Sequence, residues 1–223
     1  MKRLTKATLR TAINLFLFSL IGTAILAFTY QVTHQLIAKS EDTAKLKLIN
    51  QVVPLTVYDN DLIDDTLTLP ASSLLGSEQD TVAYRGRLHG LPSVIVLEAT
   101  APDGYSGKIT MIVAINYDGT VNGVRIITHK ETPGLGDYID VAKNSWIKLF
   151  QGASLAGIQE PGWKVKKDGG QFDYMAGATI TPRAVVKAVH KALKYFETNR
   201  DKLFVTNAKE LKQQGEAHET SRN

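Results

Sequence analysis

From Thr11 to Ala38 the sequence contains no Asp, Glu, Lys or Arg, and Ile13–Tyr30 (INLFLFSLIGTAILAFTY) is almost continuously apolar. A helix rises about 1.5 Å per residue, so eighteen to twenty such residues span roughly 27–30 Å, the thickness of a bilayer's hydrocarbon core. A chain carrying this segment must either keep it in a membrane or discard it. A cleaved export signal has an apolar stretch of about 7–15 residues, followed by small residues at the cut. Here the stretch is longer and runs into Phe28, Tyr30 and Gln31, which favours a retained anchor. No second stretch approaches this length, so a single crossing is expected.

The formal charge of +4 has a local origin. Lys2, Arg3, Lys6 and Arg10 are unopposed by any acid in the first ten residues, and without them basic and acidic residues balance. A nucleic-acid-binding face needs basic residues clustered on the folded part, so no nucleic-acid partner is expected. Positive residues before the span, with Tyr30 at its far end, place the N-terminus in the cytoplasm and the rest of the chain outside it. Cysteine is absent, which removes disulfides, thiolate nucleophiles and cysteine-ligated clusters together. His34, His89, His129, His190 and His218 show no ligand-like spacing, so no metal site is expected.

Beyond the span, residues 34–53 carry Leu36, Ile37, Ala44, Leu48 and Val52 at helical spacing before Pro54 interrupts. Residues 59–80 are acidic and rich in Ser and Thr, and read as linker or irregular structure. Strands are expected over Val82–Leu88, Val94–Ala99, Ile109–Tyr117 and Val121–Thr128. The last two meet across Asp118-Gly119, a hairpin signal because primed turns need residues tolerant of positive φ. Ile139, Ala142, Trp146, Leu149 and Phe150 repeat on one face of an expected helix over Asp137–Gln151, stopped at Gly152. Trp163–Lys167 and Gln171–Tyr174 form a second expected hairpin around Asp168-Gly169-Gly170. A long helix is expected to open at Thr181-Pro182, with Thr181 as its cap and Val185, Val189, Ala192, Leu193 and Phe196 as its inner face. From residue 205 the chain is a polar tail. Hairpins with segregated helices make the fold class α+β with an antiparallel sheet.

Four stretches carry more glycine and polar residues than turns require: 103–107, 129–136, 168–170 and 173–181. The last sets Gly177, Ala178 and Thr179 just before a helix start, where free amides and the helix dipole favour an anion such as phosphate. A capped helix after a tight turn explains the same residues without a ligand. His129 and Glu131 alternate onto one strand face and could act as an acid–base pair, or could simply end a solvated strand. Gly134-Leu135-Gly136 lacks the later glycine of a dinucleotide fingerprint, and no glycine run is followed by a phosphate-loop Lys-Ser/Thr.

Taken together and in order, Gly104-Tyr105-Ser106-Gly107, HKETPGLG at 129–136 and DYMAGAT at 173–179 resemble the FMN-binding domain family whose flavin is joined through its phosphate to a threonine. The whole chain resembles the G subunits of Rnf (Rsx) ion-translocating electron-transport complexes. The C subunits of sodium-translocating NADH:quinone reductases are similar over less of it, and an anchored adaptor domain without flavin is the alternative of another class. The resemblance implies an electron-relaying flavoprotein subunit without substrate turnover of its own, in the bacterial inner membrane with a periplasmic FMN domain. It implies FMN on Thr179, which ends the family's motif, and other complex subunits and a flavin transferase as partners. Gly177, Ala178, Thr181, His129, Glu131, Thr132, Gly134, Leu135, Gly136, Tyr105 and Gly107 are the further cofactor residues it implies. Position 176 is Ala where the family often has Ser or Thr. The expected division is 1–10 cytoplasmic, 11–31 transmembrane, 32–80 membrane-proximal helix and linker, 81–204 FMN-binding domain and 205–223 tail.

Overall fold

The structure, a computed structural model, describes residues 2–205, with the side chains of 2–7 and 35–46 excepted; the expected tail beyond Val205 lies outside the described residues. The chain divides into a unit ending at Lys47 and a second unit beginning at Leu48. In the first, a single helix replaces the two expected from the sequence. This helix, α1, runs unbroken over Lys2–Val52, its last residues belonging to the second unit. Thr8–His34 is long and apolar enough to cross a membrane, at 27 residues and a mean hydropathy of 2.0, and none of it is buried within the protein. Side chains such as Phe18 and Leu26 are more than two-thirds exposed, a cost in water that only an apolar surround relieves.

The second unit is built on a five-stranded antiparallel meander, β1 (Thr66–Leu69), β2 (Thr81–Leu88), β3 (Leu91–Ala101), β4 (Ile109–Asn116) and β5 (Val121–Thr128), paired in chain order. The four strands expected from the sequence are present. β1 is an addition: it pairs Thr66–Leu69 with Tyr84–Thr81 inside the segment read as linker, where four residues offer too little pattern to detect. His89 and Gly90 both take positive φ and join β2 to β3 in the manner of a primed turn. The Asp118-Gly119 hairpin forms as expected, but only Gly119 has positive φ. Asn116 and Thr120 close a longer loop through an amide-to-carbonyl bond of 2.8 Å.

Strand alternation splits the core into two faces. Ile95, Leu97, Met111, Val113 and Val124 pack in one cluster with Val185, Val189, Leu193 and Phe196 of the last helix, α2 (Ile180–Phe204), whose expected inner face is fully buried. Val94, Val96, Ile112 and Ala114, also buried, face the other way. That side is covered by the end of α1, where Val52 lies so close to Gly123 that an added Cβ would sit 2.9 Å from Val52 Cγ1.

The sequence-based reading fails between Asp137 and Tyr174. The expected helix is broken into two 3-10 segments, Asp137–Ile139 and Ser145–Phe150, because the Asn144 side chain accepts the Trp146 amide at 2.9 Å and restarts the turn. Trp146 and Phe150 are buried as expected, whereas Ala142 and Leu149 are exposed. The expected second hairpin is absent; Lys166–Asp168 is a 3-10 turn and only one isolated bridge joins Val165 to Phe172. Tyr138, Trp146, Phe150, Phe172 and Trp163 instead run edge-to-face and stacked, with consecutive ring centroids 4.8–5.5 Å apart, filling the space that regular structure would occupy.

Candidate functional site

The cleft at the start of α2 is a cavity of about 260 Å³ lined by Tyr105, Glu131, Thr132, Leu135, Gly136, Gly177, Ala178, Thr179, Ile180 and Thr181. Three glycine-rich stretches, which lie at 103–107, 129–136 and 173–181 in the sequence, thus meet at one helix end. Small-molecule pockets commonly enclose about 300–1,000 Å³, so this cleft has room for one end of an elongated ligand and not for the whole of it.

The start of α2 differs from the expected one. Thr181 is not the cap: the helix begins at Ile180, Thr179 holds the N-cap position, and the Thr179 side chain makes no cap hydrogen bond. Its backbone is helical (φ −81°, ψ −27°), unlike the extended backbone that turns an N-cap hydroxyl onto the first-turn amides. The Thr179 hydroxyl therefore remains available on a half-buried residue that lines the cavity. The first bond of the helix runs from the Arg183 amide to the Thr179 carbonyl at 3.3 Å, which leaves the amides of Ile180 and Thr181 ahead of the ladder. Gly177 has φ +85° and open space where a Cβ would stand, so the backbone there can be approached closely.

Thr181 is spoken for by a different partner. Thr181 is 1% exposed, and its hydroxyl donates to Glu131 Oε2, while Glu131 Oε1 accepts the Ser106 amide at 3.0 Å. His129 and Glu131 do not share a strand face, so neither the acid–base pair nor the solvated strand end is found there. β5 ends at Thr128, His129 Nδ1 accepts the Glu131 amide at 3.1 Å, and the Glu131 carboxylate turns inward, 3% exposed. Thr132 closes a turn by accepting the Leu135 and Gly136 amides at 3.1 and 2.9 Å. Gly134 takes φ +76° and gives its amide to Asp137 at 2.8 Å. His129, Gly107 and Gly134 are absent from the cavity wall, and Ile180 is an addition to it. No polar or glycine signal in the sequence distinguishes Ile180.

The 173–179 loop is held from outside the motif. Trp146 Nε1 donates to the Asp173 carbonyl at 2.7 Å, and the Tyr138 hydroxyl accepts the Met175 amide at 3.3 Å. Burial raises the Tyr138 phenol above its ordinary value, against the Met175 bond, so it stays protonated. Arg183 pairs with Asp168 at 2.5 and 2.6 Å, Lys166 with Asp173 at 2.5 Å and Lys187 with Asp103 at 2.7 Å. Hydrogen bonding to Arg183 and to Lys187, respectively, holds the Asp168 and Asp103 carboxyls below the usual range. Sequence periodicity offers no sign that Tyr138 and Trp146 serve this loop, because both look like ordinary core aromatics.

An accessible threonine hydroxyl, first-turn amides without intrahelical partners and an approachable glycine suit a phosphate. Tyr105, Leu135 and Ile180 on the rim, 67%, 49% and 45% exposed, suit a flat aromatic body. Residues 104–194 match the family model described as FMN-binding domain, and residues 1–52 match the one described as RnfG N-terminal region. Fold and site define an FMN-binding domain carried on an apolar N-terminal helix. Proteins named as the G subunit of an ion-translocating oxidoreductase complex are similar along nearly the whole length. That of Pseudomonas aeruginosa (strain UCBPP-PA14) is 47% identical over 198 residues, 89% of this chain and 92% of the relative. Those of Shewanella loihica and Aliivibrio fischeri (strain MJ11) are 43% and 42% identical, over 89% and 87% of this chain and 93% and 92% of their own. The chain belongs to the family of G subunits of ion-translocating oxidoreductase complexes.

Proposed function

We propose that this protein is a membrane-anchored flavoprotein subunit that relays electrons within an Rnf-type, redox-driven ion-translocating complex, through FMN esterified by its phosphate to Thr179. The carrying observation is the N-cap threonine whose hydroxyl does not cap. Bound FMN supplies reversible uptake and release of electrons. The chain supplies position: the open start of α2 faces the phosphate, a dipole contribution of about 0.3–1 kcal/mol. Gly177 lets the backbone approach, and Tyr105, Leu135 and Ile180 border the exposed part. The absence of cysteine supports an organic redox group.

The match of residues 1–52 to the RnfG N-terminal region supports the G subunit over the quinone-reductase C subunit. A single helix encloses no ion path, which supports a relay without turnover of its own, with the other subunits carrying the ion. The positive residues before the span support residues 1–10 in the cytoplasm, 11–31 across the inner membrane and the folded unit that begins at Leu48 as a periplasmic FMN domain, larger than the 81–204 expected from the sequence. Attachment after export then requires a flavin transferase in the same compartment.

Denaturing mass spectrometry of the chain from its native host should show a mass greater by FMN minus water, the balance of an ester formed between hydroxyl and phosphate. Thr179→Val should abolish the increment. An unmodified wild-type chain isolated with its partner subunits would overturn the reading. Protease added to spheroplasts should cut the domain, and its protection would overturn the orientation.

A further inference from the structure

The Glu131 carboxylate is the point where the three glycine-rich stretches touch. One oxygen accepts the Thr181 hydroxyl of α2 and the other accepts the Ser106 amide at 3.0 Å. Two glycines make room for it. A Cβ at Gly104 would lie 2.9 Å from Glu131 Oε1, and one at Gly136 would lie 2.9 Å from Oε2 and 3.0 Å from Thr181 Oγ1. Glu131 makes no ion pair among the described residues, and its exposure is only 3%. A buried acceptor of this kind costs stability unless its hydrogen bonds are made, so its presence calls for a use.

We propose that Glu131 is a positioning residue for flavin attachment. It draws the hydroxyl of Thr181 inward, fixes the first turn of α2 two residues earlier than the sequence suggests, and thereby leaves Thr179 at the N-cap with its own hydroxyl free. Its negative charge also stands in the wall of the same cavity, where it opposes added electron density on a bound flavin. This inference rests on Thr179 being the attachment site. It assigns Glu131 no role as a base.

The test compares Glu131→Gln, which removes the charge, with Thr181→Val, which keeps the charge and removes one hydrogen bond. Each full-length variant is co-expressed with the transferase. Loading is followed by mass spectrometry, the fold by thermal melting of the unloaded chain, and the flavin by its midpoint potential. Both variants should load roughly tenfold to a hundredfold more slowly, the penalty typical of a reacting group misplaced by about an ångström. Only Glu131→Gln should raise the potential of the flavin that does attach. Wild-type loading rates in both variants overturn the proposal, and so does slow loading explained entirely by lost folded protein. If Glu131→Gln fails to fold, Thr181→Val alone decides: a wild-type loading rate there overturns it. An unmodified wild-type chain in the same experiment removes the Thr179 reading itself, whereas a loaded wild type beside normally loading variants removes only the role of Glu131.

Discussion

The two ends of α2 are treated in opposite ways. At its C-terminus, Arg85 donates to the Val205 carbonyl at 3.0 Å and Arg87 to the Phe204 carbonyl at 3.2 Å. Asp65 pairs with both guanidinium groups, and all three side chains are largely buried. The N-terminus has a threonine in the capping position that does not cap, and a second threonine turned toward a buried carboxylate. Helix ends normally need their unsatisfied groups met. A chain that closes one end with two buried arginines and leaves the other open has not merely frayed, and the open end is the one proposed above to meet the FMN phosphate.

This contrast is tested most severely by Thr179→Val. The flavin mass increment should be lost entirely, while the unloaded protein's stability stays within about 0.5 kcal/mol of wild type. A loss nearer the roughly 0.5–2 kcal/mol of an ordinary cap deletion, measured by urea unfolding, would mean that the hydroxyl caps after all. Next in size, Asp65→Ala strands two guanidinium groups at the closed end, and breaking such buried pairs costs about 3–5 kcal/mol. Denaturant unfolding should show that loss, and a change below about 1 kcal/mol would break the comparison from the other side.

Gly177→Ala tests the open end more gently. Space around the Cβ is free, so the cost is the positive φ alone, about 1–2 kcal/mol, measured by the same unfolding curves. The smallest effect lies midway along the helix. His190 stacks on Trp163 with ring centroids 4.9 Å apart, and burial lowers its basicity against the pull of Glu160. Its folded pKa is below the unfolded value of about 6.5, so its contribution is complete above that pH and is lost as the pH falls through it toward the folded value. Melting temperature should therefore decline slightly between about pH 7.5 and about pH 5.5, and His190→Gln should flatten that decline. The depressed carboxyls of Asp103 and Asp168 act in a separate window, because their contribution persists until the pH falls below about 4.

Strands β2 to β5 and the inner face of α2 were legible because alternation and helical spacing are local signals read against a single core. The 137–174 segment was not. Its apolar spacing imitates a helix, but the Asn144 side chain competes for the backbone and the aromatic rings find each other in three dimensions instead. The continuity of α1 was hidden for a similar reason, since charged residues after Ala38 end the apolar signal without ending the helix.

By itself, the sequence determined the span, its flanking charge, most strands, and the three motifs that hold Tyr105, Glu131 and Thr179. Covalent neighbours and periodic burial suffice for those. Only the tertiary structure decided how Thr181 is engaged: the sequence made it the cap and left Thr179 free, whereas the structure keeps Thr179 free at the N-cap and turns the Thr181 hydroxyl onto Glu131, fifty residues away in the chain. A hydroxyl follows the strongest acceptor within reach, and a buried carboxylate outcompetes exposed backbone.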